Sequence, residues 1–224
     1  MNNCFTAAPT AEAADKTPEK EYTIPPEVPA GGALYRFCKR CFDVLFSALA
    51  LLVFLLPMLV ISLCILCDSR GPVFFLQDRL GKDGRPFSVY KFRTMIVGAE
   101  KHGPQWAAKD DDRCTRVGRI LRKSRLDELP QFLNILFGHM SLVGPRPERA
   151  YFYDKFETYI HGFKNRLAVT PGLTGLAQVN GGYELEPEEK ILYDMQYIRE
   201  QSLWLDLKLI FKTVKLVFTH EGAR

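Results

Sequence analysis

VLFSALALLVFLLPMLVISLCILC, Val44 to Cys67, is a run of 24 residues without a formal charge. At about 1.5 Å per residue a straight helix of that length measures roughly 36 Å, enough for a hydrocarbon core of about 30 Å. A buried core helix would be unusually long and apolar around its whole circumference, so the segment is expected to enter a membrane. Arg36, Lys39 and Arg40 precede it and Arg70, Arg79 and Lys82 follow it, which leaves the positive-inside rule without a preferred polarity. Pro57 lies near the centre, removes one backbone hydrogen bond and bends the helix. Basic ends and a central break together predict re-entry, with both ends on the cytoplasmic face.

Outward from this segment the chain divides simply. Its 224 residues suit one domain, and a net charge of +4 supplies no nucleic-acid footprint. Residues 1–33, rich in Ala, Thr, Pro and Glu, lack the apolar core of a signal peptide and predict a disordered tail. Residues 34–224 then form the domain, with the membrane hairpin at 44–67 and a catalytic region at 69–224. Cys38-x-x-Cys41 and Cys64-x-x-Cys67 have zinc-like spacing, but they flank or sit inside the most apolar stretch, where cysteine behaves as a small hydrophobe. Neither zinc nor a structural disulfide is expected.

Beyond the hairpin, Val73 to Gln77 and Phe87 to Phe92 alternate like strands around the turn-rich GKDGRP, predicting a β-hairpin with Lys91 and Arg93 at its exit. A helix is expected over Cys114 to Arg125, with Arg116, Arg119 and Lys123 opposite Val117, Ile120 and Leu121. LWLDLKLIFKTVKLVF, 203–218, repeats that pattern, and both helices suit a membrane interface if they are not simply solvated on their charged side. Glu188 to Arg199 carries a core stripe of Ile191, Leu192, Met195 and Ile198. The glycines of Pro171 to Gly175 permit either a tight turn or close backbone approach to a ligand. The four histidines, His102, His139, His161 and His220, show no metal-ligand spacing. The fold class is therefore α+β and mainly α, with interfacial helices around a small cytoplasmic catalytic domain.

DELPQFLNILFGHMSLVGPRPE, Asp127 to Glu148, concentrates the chemistry. Ser124 and Asp127 have capping-box spacing, so Asp127 has a purely structural reading. Pro130 is tolerated chiefly in a first helical turn, so a helix should start near Leu129 or Pro130 and stop at Gly138, with both carboxylates at its N-terminus. There an acid stays ionised and phosphate is welcome. An ionised carboxylate can attack phosphorus while its neighbour, roughly 100° around the helix, holds a divalent cation. Pro145 and Pro147 restrict the backbone on either side of Arg146, whose planar donor fork suits phosphate; an ordinary turn with a surface arginine is the competing reading.

The ordered blocks SRGPVFFLQDRLGKDGRPFSVYKFRTM (69–95), DDRCTRVGRILRKSRLDELPQ (111–131), MSLVGPRPE (140–148), PGLTGLAQVNG (171–181) and SLWLDLKLIFKT (202–213) resemble the bacterial sugar transferase family, the small monotopic phosphoglycosyl transferases. AEKHGPQWAAKDDDR and the terminal GAR look most like members linked to exopolysaccharide gene clusters. The resemblance implies transfer of a sugar 1-phosphate from a UDP-sugar to polyprenyl phosphate at the cytoplasmic membrane. It further implies Asp127 as nucleophile, Glu128 as ligand of Mg²⁺, Arg146 on the nucleotide phosphate, Arg122 on the lipid phosphate, and phosphate contact by Lys91 and Arg93. Relatives often place serine before the hairpin proline; Leu56 stands there here, so the carbonyls freed by the break need another partner. A Mg²⁺-dependent nucleotide-sugar hydrolase and a non-catalytic membrane scaffold are the competing functions, and homo-oligomerisation is compatible with either.

Overall fold

The computed structural model describes residues 21–99, 111–182 and 185–219. Most of the segment with exopolysaccharide-member character, the GAR terminus, His102 and His220 lie outside them, as do residues 1–20. Residues 21–32, expected to belong to a disordered tail, run extended along the domain instead. Strand β1, Tyr22–Thr23, pairs in parallel with β5, Ile160–His161, and Ala30 N–H donates to Ile198 O at 3.1 Å. These backbone bonds compensate the ordering of a segment whose composition offers little to bury.

Helix α1, Ala33–Val53, and helix α2, Leu55–Asp68, meet at Phe54 with a bend of 59°. Among the described residues no single helix is long and apolar enough to cross a membrane, and the bent pair passes that test only as a unit. Pro57 sits in the first turn of α2, where proline is tolerated. The break appears one turn earlier because the missing N–H belongs to a bond whose acceptor would be Val53. Leu45, Leu49, Leu52, Leu56, Leu59 and Leu63 are all exposed along the pair.

The antiparallel hairpin is longer than its sequence signal: β2, Phe74–Leu80, pairs with β3, Pro86–Phe92, from Phe74↔Phe92 to Leu80↔Pro86. Gly81 to Arg85 alone make the turn, with Asp83 left-handed at φ 56°. Helix α3, Arg116–Ser124, lies so close to the exit of β3 that a Cβ on Gly118 would collide with Thr94 O. After α4, Gln131–Phe137, strand β4, Ser141–Val143, pairs in parallel with β6, Gly172–Thr174. Helices α5, Ala150–Glu157, α6, Leu176–Val179, α7, Pro187–Glu200, and α8, Leu203–Thr219, complete the mainly helical α+β fold.

The core runs through Phe92, Ile135, Met140, Ile160, Ile191, Ile198 and Leu209. Helix α7 begins on a capping box between Glu186 and Glu189 with Pro187 in its first turn. It buries Ile191, Met195 and Ile198, but Leu192 is exposed, because it lies one residue around from that stripe. Asp206 on α8 fastens α1 and α7 to α8: it accepts from Lys39 at 2.8 Å, Tyr35 at 2.9 Å and Tyr197 at 2.8 Å. The other side of α8 leaves Trp204 and Phe211 exposed. This exposed side of α8 is apolar, as is that of the bent pair.

Candidate active site

Arg125 ends α3 in the left-handed region, φ 57° and ψ 15°. That turn throws the chain into a single 3₁₀ turn, Leu126–Glu128, so the two acids precede α4 instead of forming its first turn. Ser124 bonds back to Ile120 O at 2.8 Å, and α3 is capped by Thr115, which accepts from Gly118 N–H at 3.0 Å. The capping-box reading of Asp127 does not apply. Gly138 closes α4 at φ 88°, where a left-handed residue was expected.

Strand β3 sends Lys91 to Glu128 Oε1 at 3.0 Å, and the loop after β4 sends Arg146 to the same oxygen. Burial opposes ionisation of Glu128, but Arg146 and Lys91 outweigh it and hold the carboxyl far below the ordinary range. Asp127 responds in the opposite direction. Burial lifts its pKa to about 6, against the attraction of Lys91, with repulsion from Glu128 adding to the rise and Arg122 and Arg146 opposing it. Two adjacent carboxyls are thus driven apart, one permanently charged and one titrating near neutrality.

Arg146 is braced from its backbone. The Arg166 guanidinium donates to Arg146 O at 2.9 Å, lies 2.6 Å from Asp194 and sits 5.1 Å from the Phe163 ring centre. Pro145 O accepts from Gly172 N–H at 2.9 Å, and Pro147 O from Arg79 at 2.9 Å, while Arg79 also pairs with Glu148. The glycines of PGLTG serve this bracing: a Cβ on Gly172 or Gly175 would collide with the backbone of Gly144. Arg166 and Asp194 were not marked by any motif in the sequence, since their pairing joins separate segments.

Arg122 projects from α3, bonds Cys114 Sγ at 3.0 Å and lines the same cavity as the dyad. Arg93 also borders that cavity, but it is 5% exposed and donates to Ser69 O at 2.7 Å and Arg70 O at 3.1 Å. Those bonds tie β3 to the end of α2 and leave Lys91, not Arg93, beside the acids. The cavity, about 1180 Å³, extends from Asp127, Glu128, Arg122 and Arg146 to Phe46, Leu49, Val53 and Phe54 at the helix bend. One end is cationic and the other is hydrocarbon.

Residues 34–220 match the family described as bacterial sugar transferase. The chain belongs to the bacterial sugar transferase family. Among its relatives is a UDP-N-acetylgalactosamine-undecaprenyl-phosphate N-acetylgalactosaminephosphotransferase of Aeromonas hydrophila, 46% identical over 85% of this chain and 46% of the relative. UDP-glucose:undecaprenyl-phosphate glucose-1-phosphate transferases of Klebsiella pneumoniae and Caulobacter vibrioides are 46% and 43% identical, over 83% and 86% of this chain. The match covers 41% of the Klebsiella protein and 76% of the Caulobacter one. The chain therefore spans less than half the length of the first two relatives.

Among the described residues no three His, Cys, Asp or Glu side chains converge on a metal position. Mg²⁺ makes a smaller demand, one or two carboxylates completed by water and substrate phosphate. The dyad fits that demand: both cation bonds to Glu128 fall on Oε1, and Oε2 remains for a ligand.

Proposed function

We propose that this chain transfers a sugar 1-phosphate from a UDP-sugar to undecaprenyl phosphate on the cytoplasmic face of a bacterial membrane, initiating assembly of an exopolysaccharide or another glycan. The observation that carries this reading is the single cavity that joins the acidic dyad to the apolar helix bend. A water-soluble anionic donor and a lipid-held anionic acceptor need such a meeting place. The relatives' names differ in sugar but share the UDP carrier and the undecaprenyl phosphate acceptor.

In the proposed reaction an ionised Asp127 oxygen attacks the phosphorus that bears the sugar. The bond from that phosphorus to the bridging oxygen breaks, and UMP leaves with the electron pair. The lipid phosphate oxygen then attacks the aspartyl phosphosugar, forming polyprenyl diphosphate sugar and restoring the Asp127 carboxylate. Arg146, fixed by Arg166, would bind the nucleotide phosphate, and Arg122 the lipid phosphate. Lys91 keeps Glu128 ionised. Bound through Glu128, Mg²⁺ would neutralise charge on the diphosphate. Its apolar neighbour supports lipid over water as acceptor, and the charge-separated dyad supports an enzyme over a scaffold.

Re-entry of the bent pair belongs to the same proposal. Helix α2, of 14 residues, is about 21 Å long, short of a hydrocarbon core of about 30 Å. Arg40 on α1 donates to Ile135 O and Leu136 O, and Asp43 accepts from Leu142 N–H, while Asp68 at the end of α2 accepts from Val117 N–H. Both ends are thereby held against one domain.

The decisive experiment mixes purified protein with Mg²⁺ and a panel of UDP-sugars labelled in the sugar, without lipid. UMP release with label retained on protein is expected for the true donor, and neither should occur with Asp127→Asn. Near-normal turnover by Asp127→Asn, or UMP release only after lipid is added, would replace the covalent route by direct transfer.

A further inference from the structure

Lys190 stands on α7 one turn before Asp194. Residues four apart lie on one helix face, so Lys190 shares the side of α7 whose carboxylate holds Arg166. Arg166 in turn donates to Arg146 O, which sets that face of α7 against the loop delivering Arg146. The two positions differ in what they meet. Asp194 is 1% exposed and committed to its ion pair, whereas Lys190 is half-buried and lines the cavity that contains Asp127, Glu128 and Arg146.

Burial pulls the Lys190 ammonium below the ordinary lysine pKa, Glu148 opposes the fall, and Arg166 and Arg146 add to it. Arg146 acts on Asp127 too, together with Arg122 from α3. Arg146 is therefore common to both surroundings, with Arg122 contributed by α3 and Lys190 by α7. The phosphate that leaves as UMP gains negative charge while the bond to the bridging oxygen breaks, and Arg146 already shares its charge with Glu128. A second cation on the Arg146 side meets that need. An ammonium carries three donors, so a carboxylate neighbour and a phosphate oxygen can share it. We infer that Lys190 binds the α-phosphate of the nucleotide donor, the phosphate that departs in UMP, as a second cation beside Arg146. This rests on the proposed use of a UDP-sugar.

Binding of UMP and of uridine to the full chain in lipid nanodiscs, uridine being measured by competition, isolates the phosphate from the base and ribose without turnover. Lys190→Met keeps much of the aliphatic stem and removes the charge. It should bind UMP about 10-fold more weakly, as loss of a charge-assisted hydrogen bond requires, and bind uridine as the native protein does. Lys190→Arg restores a cation and should recover most of the UMP affinity. In turnover, Lys190→Met should lower kcat/KM for the UDP-sugar and leave kcat/KM for undecaprenyl phosphate unchanged. Native UMP affinity in Lys190→Met would overturn the assignment, and so would equal weakening of UMP and uridine, which would make the residue a packing element. A fall confined to kcat/KM for undecaprenyl phosphate would move Lys190 to the lipid phosphate instead. A native protein that binds neither UMP nor uridine would overturn the proposed donor itself.

Discussion

Asp127 and Glu128 are covalent neighbours under the same cations, yet burial dominates one and ion pairing the other. The release of UMP should therefore depend on the Asp127 carboxylate: its rate without lipid is expected to fall as pH drops through about 6, because the neutral acid is a poor nucleophile. A flat rate from pH 7.5 to 5 would remove Asp127 from that role. Stability should move oppositely. The folded pKa lies above the ordinary value, so the native state holds this proton more tightly, and the associated stability is present below about 4 and lost as pH rises through about 6. Asp127→Asn should thus raise Tm at pH 7.5, by a stabilisation on the order of 2 kcal/mol, and match the native protein near pH 3.5. A pH-independent difference would point to packing instead. For Glu128 the expectation is a second kind of loss: Glu128→Gln keeps the shape but not the charge, and should leave less than about 1% of the Mg²⁺-dependent rate, as removal of a metal-directed charge requires. Chelator-resistant native activity would exclude the metal from the reaction.

At the scale of elements, the bend shows what a sequence discloses and what it withholds. Pro57 announces a break, but its place at Phe54 follows from the acceptor of the missing bond, four residues before the proline. Pro57→Leu should restore that bond and reduce the 59° bend, detectable as a longer distance between spin labels near residues 45 and 65 in nanodiscs. An unchanged distance would mean that packing, not proline, fixes the angle. The β-hairpin and α7 were legible because periodicity and turn residues are local. The β4–β6 pair was not: three-residue strands far apart in sequence carry no periodic signal, and their register depends on the glycines that admit Gly144. The same distinction separates the dyad and Arg146, visible as a compact motif, from Arg166 and Asp194, whose partners arrive from other segments. Arg93 marks the limit of alternation. It follows Lys91 on the same strand face, but two residues further it meets the carbonyls ending α2.

For the whole molecule, the question is how a domain of this size could hold the proposed soluble donor and lipid acceptor in one cavity. The apolar faces of α1, α2 and α8 answer it if the bent pair dips into one leaflet and returns, bringing Val53 and Phe54 beneath the dyad. A span would have to pull residues 21–32 away from Tyr159, His161 and Ile198, breaking backbone bonds, or pull the Asp68 carboxylate from Val117 N–H. Single cysteines at Val28, 84% exposed, and at Lys82, exposed in the β-hairpin turn, should therefore react together with an impermeant thiol reagent applied to the cytoplasmic side of inverted vesicles. Native cysteines must first be replaced. Each should stay unreactive when intact spheroplasts present the opposite face. Pro57→Leu in the same background should shift some Val28→Cys labelling to that opposite face, since a straighter α1–α2 unit has the combined apolar length to cross. Labelling of Val28→Cys from the outer face alone in the unaltered hairpin would establish a transmembrane span, and the lipid phosphate would then have to reach Arg122 by a path other than the cavity at the bend.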